Sequence, residues 1–168
     1  MIVALDASVL IFFFEKDANA PTDPATGKPL DRCYDRVNHL IAEIAANSGK
    51  IVIPTPALAE VLVMAGEAAP EWLNIIGKSK HFVVADFDVR AAIEHAAQMS
   101  DAPRPLAQGK QKAKFDYQII AIARVAGAET IYSFDGDIAK EAGPGLKVCG
   151  GFDLSLPPEA AQKRLFED

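Results

Sequence analysis

Asp6, Glu60, Asp116 and Asp135 are four carboxylates whose places in the chain suit shared chemistry. Asp6 ends the apolar run Ile2 to Leu5, and Glu60 falls in the second turn of a helix opened by Thr55 and Pro56. Asp116 lies early in a helix rich in Ala and Ile, and Asp135 follows the run Thr130 to Ser133. In a parallel sheet of βαβ units, strand C-termini and helix N-termini share one edge, so chain direction predicts that all four acids meet there. Crowded carboxylates repel one another where water is scarce, and some stay protonated unless a cation intervenes. Oxygen-only ligands suit Mg²⁺ or Mn²⁺, which use few protein carboxylates and keep several waters. Such a site can take a phosphodiester and direct a water at phosphorus, which makes phosphodiester hydrolysis the expected reaction class. Asp137 is a candidate extra ligand, and Ser8 and Ser133 are candidate hydrogen-bonders that orient the acids.

Taken singly, each residue has a plainer role. Asp6 reads as a helix cap, Asp116 as favourable charge near a helix N-terminus, Glu60 as a solvated side chain, and Asp135 and Asp137 as turn residues around Gly136. Their joint placement is what favours function. His39, His81 and His95 have neither ligand spacing nor a paired nucleophile and read as structural. The glycines at 143, 145, 150 and 151 lack a strand–GxGxxG–helix context and a Walker lysine, so a nucleotide cradle is not expected.

The elements that must position these groups alternate short β-rich apolar runs with amphipathic stretches at helical spacing, the signature of an α/β fold. Strands are expected at 2–5, 51–53, 81–84, 130–133 and 146–149. Helices are expected at 7–14, from an Asp31 cap to about Asn47, from a Thr55 cap through Ala65, at 70–76, from an Asp88 cap to about Met99, and at 112–126, 137–142 and 157–166. The prediction is a single three-layer domain over residues 1–150, with a central parallel sheet of about five strands flanked by helices, and a 151–168 extension carrying a short helix. Residues 17–29 hold three prolines and a glycine without periodicity, so they read as an inserted loop, long enough to be functional. Ser100 to Gly109 reads as a second loop.

The chain has 168 residues, 50% hydrophobic and 24% charged, which fits one globular domain and excludes a disordered or fibrous chain. With 17 Lys and Arg against 23 Asp and Glu, the net charge is −6, so bulk charge alone would not hold a nucleic acid. A polyanion must meet a bound cation or a local basic patch. Arg104, Lys110, Lys112 and Lys114 gather just before Asp116 and are candidate phosphate contacts. The apolar run 7–14 is too short to span a bilayer, and Cys33 and Cys149 lack ligand spacing, so a reduced cytoplasmic protein without a membrane partner is expected.

Asp6-Ala7-Ser8 after an apolar strand, Glu60 within Ala-Glu-Val, Asp116 heading Asp-Tyr-Gln-Ile-Ile-Ala-Ile-Ala, and Ser133-Phe134-Asp135-Gly136-Asp137 together resemble the PIN-domain nucleases. The match spans about residues 1 to 150. The resemblance implies a central parallel sheet, an Mg²⁺- or Mn²⁺-dependent endoribonuclease site and a homodimer. For the many members that are VapC-type toxins, it also implies an antitoxin that blocks the site. Position by position, Asp6, Glu60, Asp116 and Asp135 match the family's acidic cluster, and Ser8 and Ser133 match its hydroxyl positions. Ser133 stands where the family often has Thr, and the 17–29 insertion is longer than in compact toxins, which keeps a related non-toxin protein as an alternative. Two other classes stand beside the nuclease. One is a non-catalytic PIN-like module that binds nucleic acid or protein. The other is a phosphoacceptor signalling domain, which would want an acid pair after the first strand and an acceptor Asp after a central one. Here Asp6 is single and Ile53 is followed by Pro54.

Overall fold

The computed structural model describes residues 1–23, 26–101 and 110–158, with backbone alone at 101 and 110–113. Most of the expected helix at 157–166 and of the expected loop at 100–109 lies outside the described residues, and helix runs on through Asp101. Five strands form one all-parallel sheet: β1 (Ile2–Leu5), β2 (Lys50–Pro54), β3 (Phe82–Ala85), β4 (Thr130–Tyr132) and β5 (Lys147–Cys149). Their spatial order is β3-β2-β1-β4-β5. Helices α1 (Ala7–Phe14), α2 (Cys33–Ala46), α3 (Thr55–Ala65), α4 (Ala69–Lys78), α5 (Val89–Asp101), α6 (Lys110–Val125) and α7 (Gly136–Glu141) cover the sheet and complete three layers.

The sequence explains the layering. β1 lies at the centre, with Val3 paired to Ile51 on one side and to Thr130 on the other. Its Val3, Ala4 and Leu5 are buried, as expected of a strand covered on both faces. α1 is apolar all round because it is enclosed: Val9, Leu10 and Phe12 are buried, and it packs on both α2 and α3. The chain builds outward through β2 and β3, and α5 and α6 then carry it back to the opposite side of β1. The connections therefore diverge between β1 and β4, the switch point where an open α/β sheet leaves a crevice at its carboxyl edge.

Two helix starts differ from expectation. α2 begins after Arg32, which takes the left-handed conformation at φ 55°, and not after an Asp31 cap. The Asp31 carboxylate is drawn instead to the guanidinium of buried Arg36, 3.0 Å away. Thr55 is the first residue of α3, so its cap is Pro54, whose backbone still belongs to the strand and pairs with Ala85. Asp88 does cap α5, accepting a 2.8 Å bond from the Ala91 N–H. Within 17–29 the described residues form no strand or helix, and a single antiparallel bridge joins Thr22 to Pro29.

Candidate active site

The β1–α1 and β4–α7 connections are stitched together at the switch point by two serine hydroxyls. Asp6 is 6% exposed and caps α1 from the end of β1. Its Oδ2 accepts from Ser8 Oγ at 2.7 Å and from Ser133 Oγ at 2.9 Å, with a longer 3.4 Å bond from the Ser8 N–H. Each hydroxyl gives its one proton to Asp6 and in turn accepts a backbone N–H: Phe134 donates to Ser8 Oγ at 2.9 Å, and Asp135 donates to Ser133 Oγ at 3.0 Å. Ser133 is 2% exposed and Asp6 6%, so the bond between them is shielded from water, while Ser8 is half-buried at the cavity wall. Oδ1 of Asp6 takes none of these bonds. Asp135 caps α7 by accepting from the Asp137 N–H at 2.9 Å, which holds its carboxylate at the mouth of the same crevice.

Asp6, Ala7, Ser8, Glu60, Met64, Phe115, Asp116 and Asp135 line one cavity of about 210 Å³. The structure thus brings all four predicted acids to one place, with Asp6 and Asp116 buried and Glu60 exposed at the rim. Asp137 is not among the lining residues, and its Oδ1 is 3.0 Å from Lys140 Nζ. Lys114 is exposed, two residues before Asp116 on α6. Lys110 and Lys112 belong to the backbone of α6, while their side chains and Arg104 lie outside the described residues. His39 sits 3.4 Å from Glu43, and His81 Nδ1 is 3.0 Å from the Gly49 carbonyl oxygen, both away from the acids.

The donor set is oxygen only, as Mg²⁺ or Mn²⁺ requires. Among the described residues, no group of three or more His, Cys, Asp or Glu side chains is placed to hold a metal ion together. That is compatible with an ion held by one or two carboxylates and otherwise by water. Tyr132, at the end of β4, lines a different cavity with Glu43, Cys149 and Asp153, where burial first and those groups next push its phenol up.

Two features went unread in the sequence. Phe115 (50% exposed) and Met64 (54% exposed) flank the acid cavity. The signal for Phe115 was present, since an aromatic set among lysines in Lys112-Ala-Lys114-Phe115-Asp116 is the interleaving that nucleic-acid surfaces use. The second feature is a larger groove of about 650 Å³ beside the acids, lined in part by Glu15, Asn19, Trp72 and Phe134.

The sheet and its flanking helices form a PIN/VapC-like fold, as comparison with solved structures shows. VapBC2 from Rickettsia felis, solved bound to a DNA fragment from their promoter, matches with TM-score 0.60 and 16% identity over 89% of this chain and 98% of that one. VapC20 from Mycobacterium tuberculosis, a Sarcin-Ricin loop cleaving toxin, matches with TM-score 0.55 and 15% identity over 82% of this chain and 93% of that one. DNA-bound VapBC from Salmonella typhimurium matches with TM-score 0.56 and 15% identity over 90% and 98%. At such identities the likeness establishes the fold. No protein-family profile matches the chain, and no curated protein matches it by sequence.

Proposed function

We propose that the chain is an Mg²⁺- or Mn²⁺-dependent endoribonuclease that hydrolyses RNA phosphodiesters at the acid cavity, and that it is the toxin of a toxin–antitoxin pair in a reducing cytoplasm. The observation that carries this reading is the convergence of Asp6, Glu60, Asp116 and Asp135 on one small cavity at the switch point of the sheet. Likeness to a toxin that cleaves the Sarcin-Ricin loop and to two VapBC complexes supports RNA as substrate and an antitoxin as partner. The order β3-β2-β1-β4-β5 differs from the 2-1-3-4-5 order of flavodoxin-like phosphoacceptor domains, which weighs against that alternative. Both cysteines are free and buried, and among the described residues no helix is long and apolar enough to cross a membrane.

Asp6 and Asp116, the two buried acids, would hold the ion directly, with Asp135 reaching it through water and Asp137 left to its pairing with Lys140. When bound, the ion supplies the positive charge that admits an anionic phosphodiester to an acidic chain. Ser8 and Ser133 keep Asp6 in one orientation, with Oδ2 occupied and Oδ1 outside that network. Glu60, on the exposed rim, takes the proton of the attacking water as general base. The water oxygen bonds to phosphorus, one phosphorus–ribose oxygen bond breaks, and solvent protonates the leaving oxygen. Lys114, with Arg104, Lys110 and Lys112, contacts flanking phosphates. Exposed Val83 and Val84 on edge strand β3, with Leu73, Ile75, Val89 and Ile93 on the helices before and after it, support a homodimer.

The test is cleavage of a mixed-sequence single-stranded RNA by wild type, Asp6→Asn and Asp116→Asn, with Mg²⁺, Mn²⁺ or EDTA. Cutting that needs the ion and is lost in both variants is expected. Cutting that survives EDTA or both substitutions, or RNA binding without any cutting, would overturn the reading, the last in favour of a non-catalytic module.

A further inference from the structure

The groove of about 650 Å³ shares Ser8, Met64 and Asp135 with the acid cavity, so the two form one continuous surface. One wall is Ala18, Asn19 and Pro21 of the inserted loop, and another is Ala65, Ala68 and Trp72 of the α3–α4 region. We propose that this groove receives an unstacked nucleobase of the RNA strand, next to the phosphodiester at the acids, and that Glu15 selects which bases it takes. The inference rests on the ribonuclease reading above and names the substrate feature that the same site recognises.

Three observations favour a base over other occupants. The volume lies within the range of small-molecule sites, and the lining is mainly apolar with a few polar groups. Among the described residues no lysine or arginine lines the groove, whereas Glu15 and Asp135 do, so a phosphate is repelled and a neutral planar ring is not. Single-stranded RNA is read by splayed bases that lie on aromatic side chains and hydrogen-bond along their edges, and Trp72 and Phe134 supply aromatic surface here. Continuity with the acid cavity means that a strand with its phosphate at the acids presents the neighbouring base to the groove. The Glu15 carboxylate only accepts hydrogen bonds. It therefore favours adenine, cytosine and guanine, whose exocyclic amines donate at the ring edge, over uracil, whose N3–H donor lies between two carbonyl oxygens that repel a carboxylate.

Trp72 is the only tryptophan of the chain, one ring face stacked on Phe14 with centroids 4.4 Å apart and planes at 7°, and it lines the groove, so its emission responds to what the groove holds. The experiment titrates full-length protein with adenosine, cytidine, guanosine and uridine, which carry no phosphate and need no metal, and follows Trp72 emission. Saturable quenching is expected from the three amino-bearing nucleosides, with uridine about tenfold weaker. Exposed Glu15→Gln should remove that discrimination. Ala68→Phe should abolish quenching and raise the KM for RNA cleavage about tenfold, while Val63→Ala, at an 82% exposed position outside the groove lining, should change neither. Absence of saturable quenching by any nucleoside overturns the inference, even if RNA is cleaved. So does quenching by an apolar peptide alone, which would assign the groove to a protein partner. Unchanged discrimination in Glu15→Gln also refutes the selectivity, whether or not Ala68→Phe folds. Nucleoside binding without RNA cleavage would leave the groove standing and remove the nuclease reading instead.

Discussion

Ser133→Ala removes one hydroxyl that serves two partners at once. The hydroxyl donates to Asp6 Oδ2 at 2.9 Å and accepts the Asp135 N–H at 3.0 Å, at a position only 2% exposed. A hydrogen bond to a charged group contributes about 1.5–3 kcal/mol and a neutral one about 0.5–1.5 kcal/mol, and buried partners left unmade add to the loss. Since Asp6 Oδ2 keeps its bond from Ser8, the expected cost is about 2–3 kcal/mol, a fall of about 4–12 °C in melting temperature for a domain of this size. Ser8→Ala, at a half-buried position, should cost less, about 1–2 kcal/mol. Because both hydroxyls donate to one oxygen, the double variant should depart from additivity by at least about 0.5 kcal/mol. Each variant should also weaken Mn²⁺ binding about 10–100-fold by loosening Asp6, as loss of a ligand-orienting partner does. Urea unfolding of the four proteins, with metal titrations on each, reads both quantities. Additive losses, or a Ser133→Ala protein that keeps wild-type stability and Mn²⁺ affinity, would refute the claim that the serines hold Asp6 for the metal.

Gly151→Ala would place a Cβ 2.6 Å from Leu30 Cδ2 and 2.9 Å from Phe134 Cε1, so it should destabilise the fold by about 1–3 kcal/mol, read as a drop in melting temperature. Burial raises the Cys33 thiol above its ordinary 9.0, more than the nearby Arg36 lowers it. The unfolded thiol ionises first, so this group's contribution to stability is complete below pH 9.0 and is lost as pH climbs from there through the raised folded value. Cys33→Ala should flatten that alkaline decline in unfolding curves taken from pH 8 upward. Replacing Lys110, Lys112 and Lys114 together by Ala should weaken RNA binding and lower the slope of log affinity against log salt by about 2.

Much of the architecture was legible because strands buried on both faces read as uninterrupted apolar runs, as Ile2 to Leu5 does. Chain direction alone then sent Asp6, Glu60, Asp116 and Asp135 to one edge, and they line one cavity there. For Asp6 the plain and the chemical readings coincide, since the carboxylate that caps α1 is the one the serines orient. What stayed illegible depends on long-range partners. Which strands adjoin β1 is not encoded in any local pattern, and Asp31 looked like a cap because its pull toward Arg36 arises only once Arg36 is buried against the Leu154 carbonyl. The groove is assembled from the inserted loop, the α3–α4 region and the β4–α7 turn, each ordinary when read alone.

The central claim is that the acid cavity holds a divalent cation through Asp6 and Asp116, and Mn²⁺ binding followed by electron paramagnetic resonance tests it most directly. Wild type should bind Mn²⁺ saturably, in competition with Mg²⁺, and Asp6→Asn and Asp116→Asn should each lose that binding while remaining folded. Mn²⁺ binding of equal affinity and stoichiometry in wild type and both variants, or none in wild type, would contradict the account.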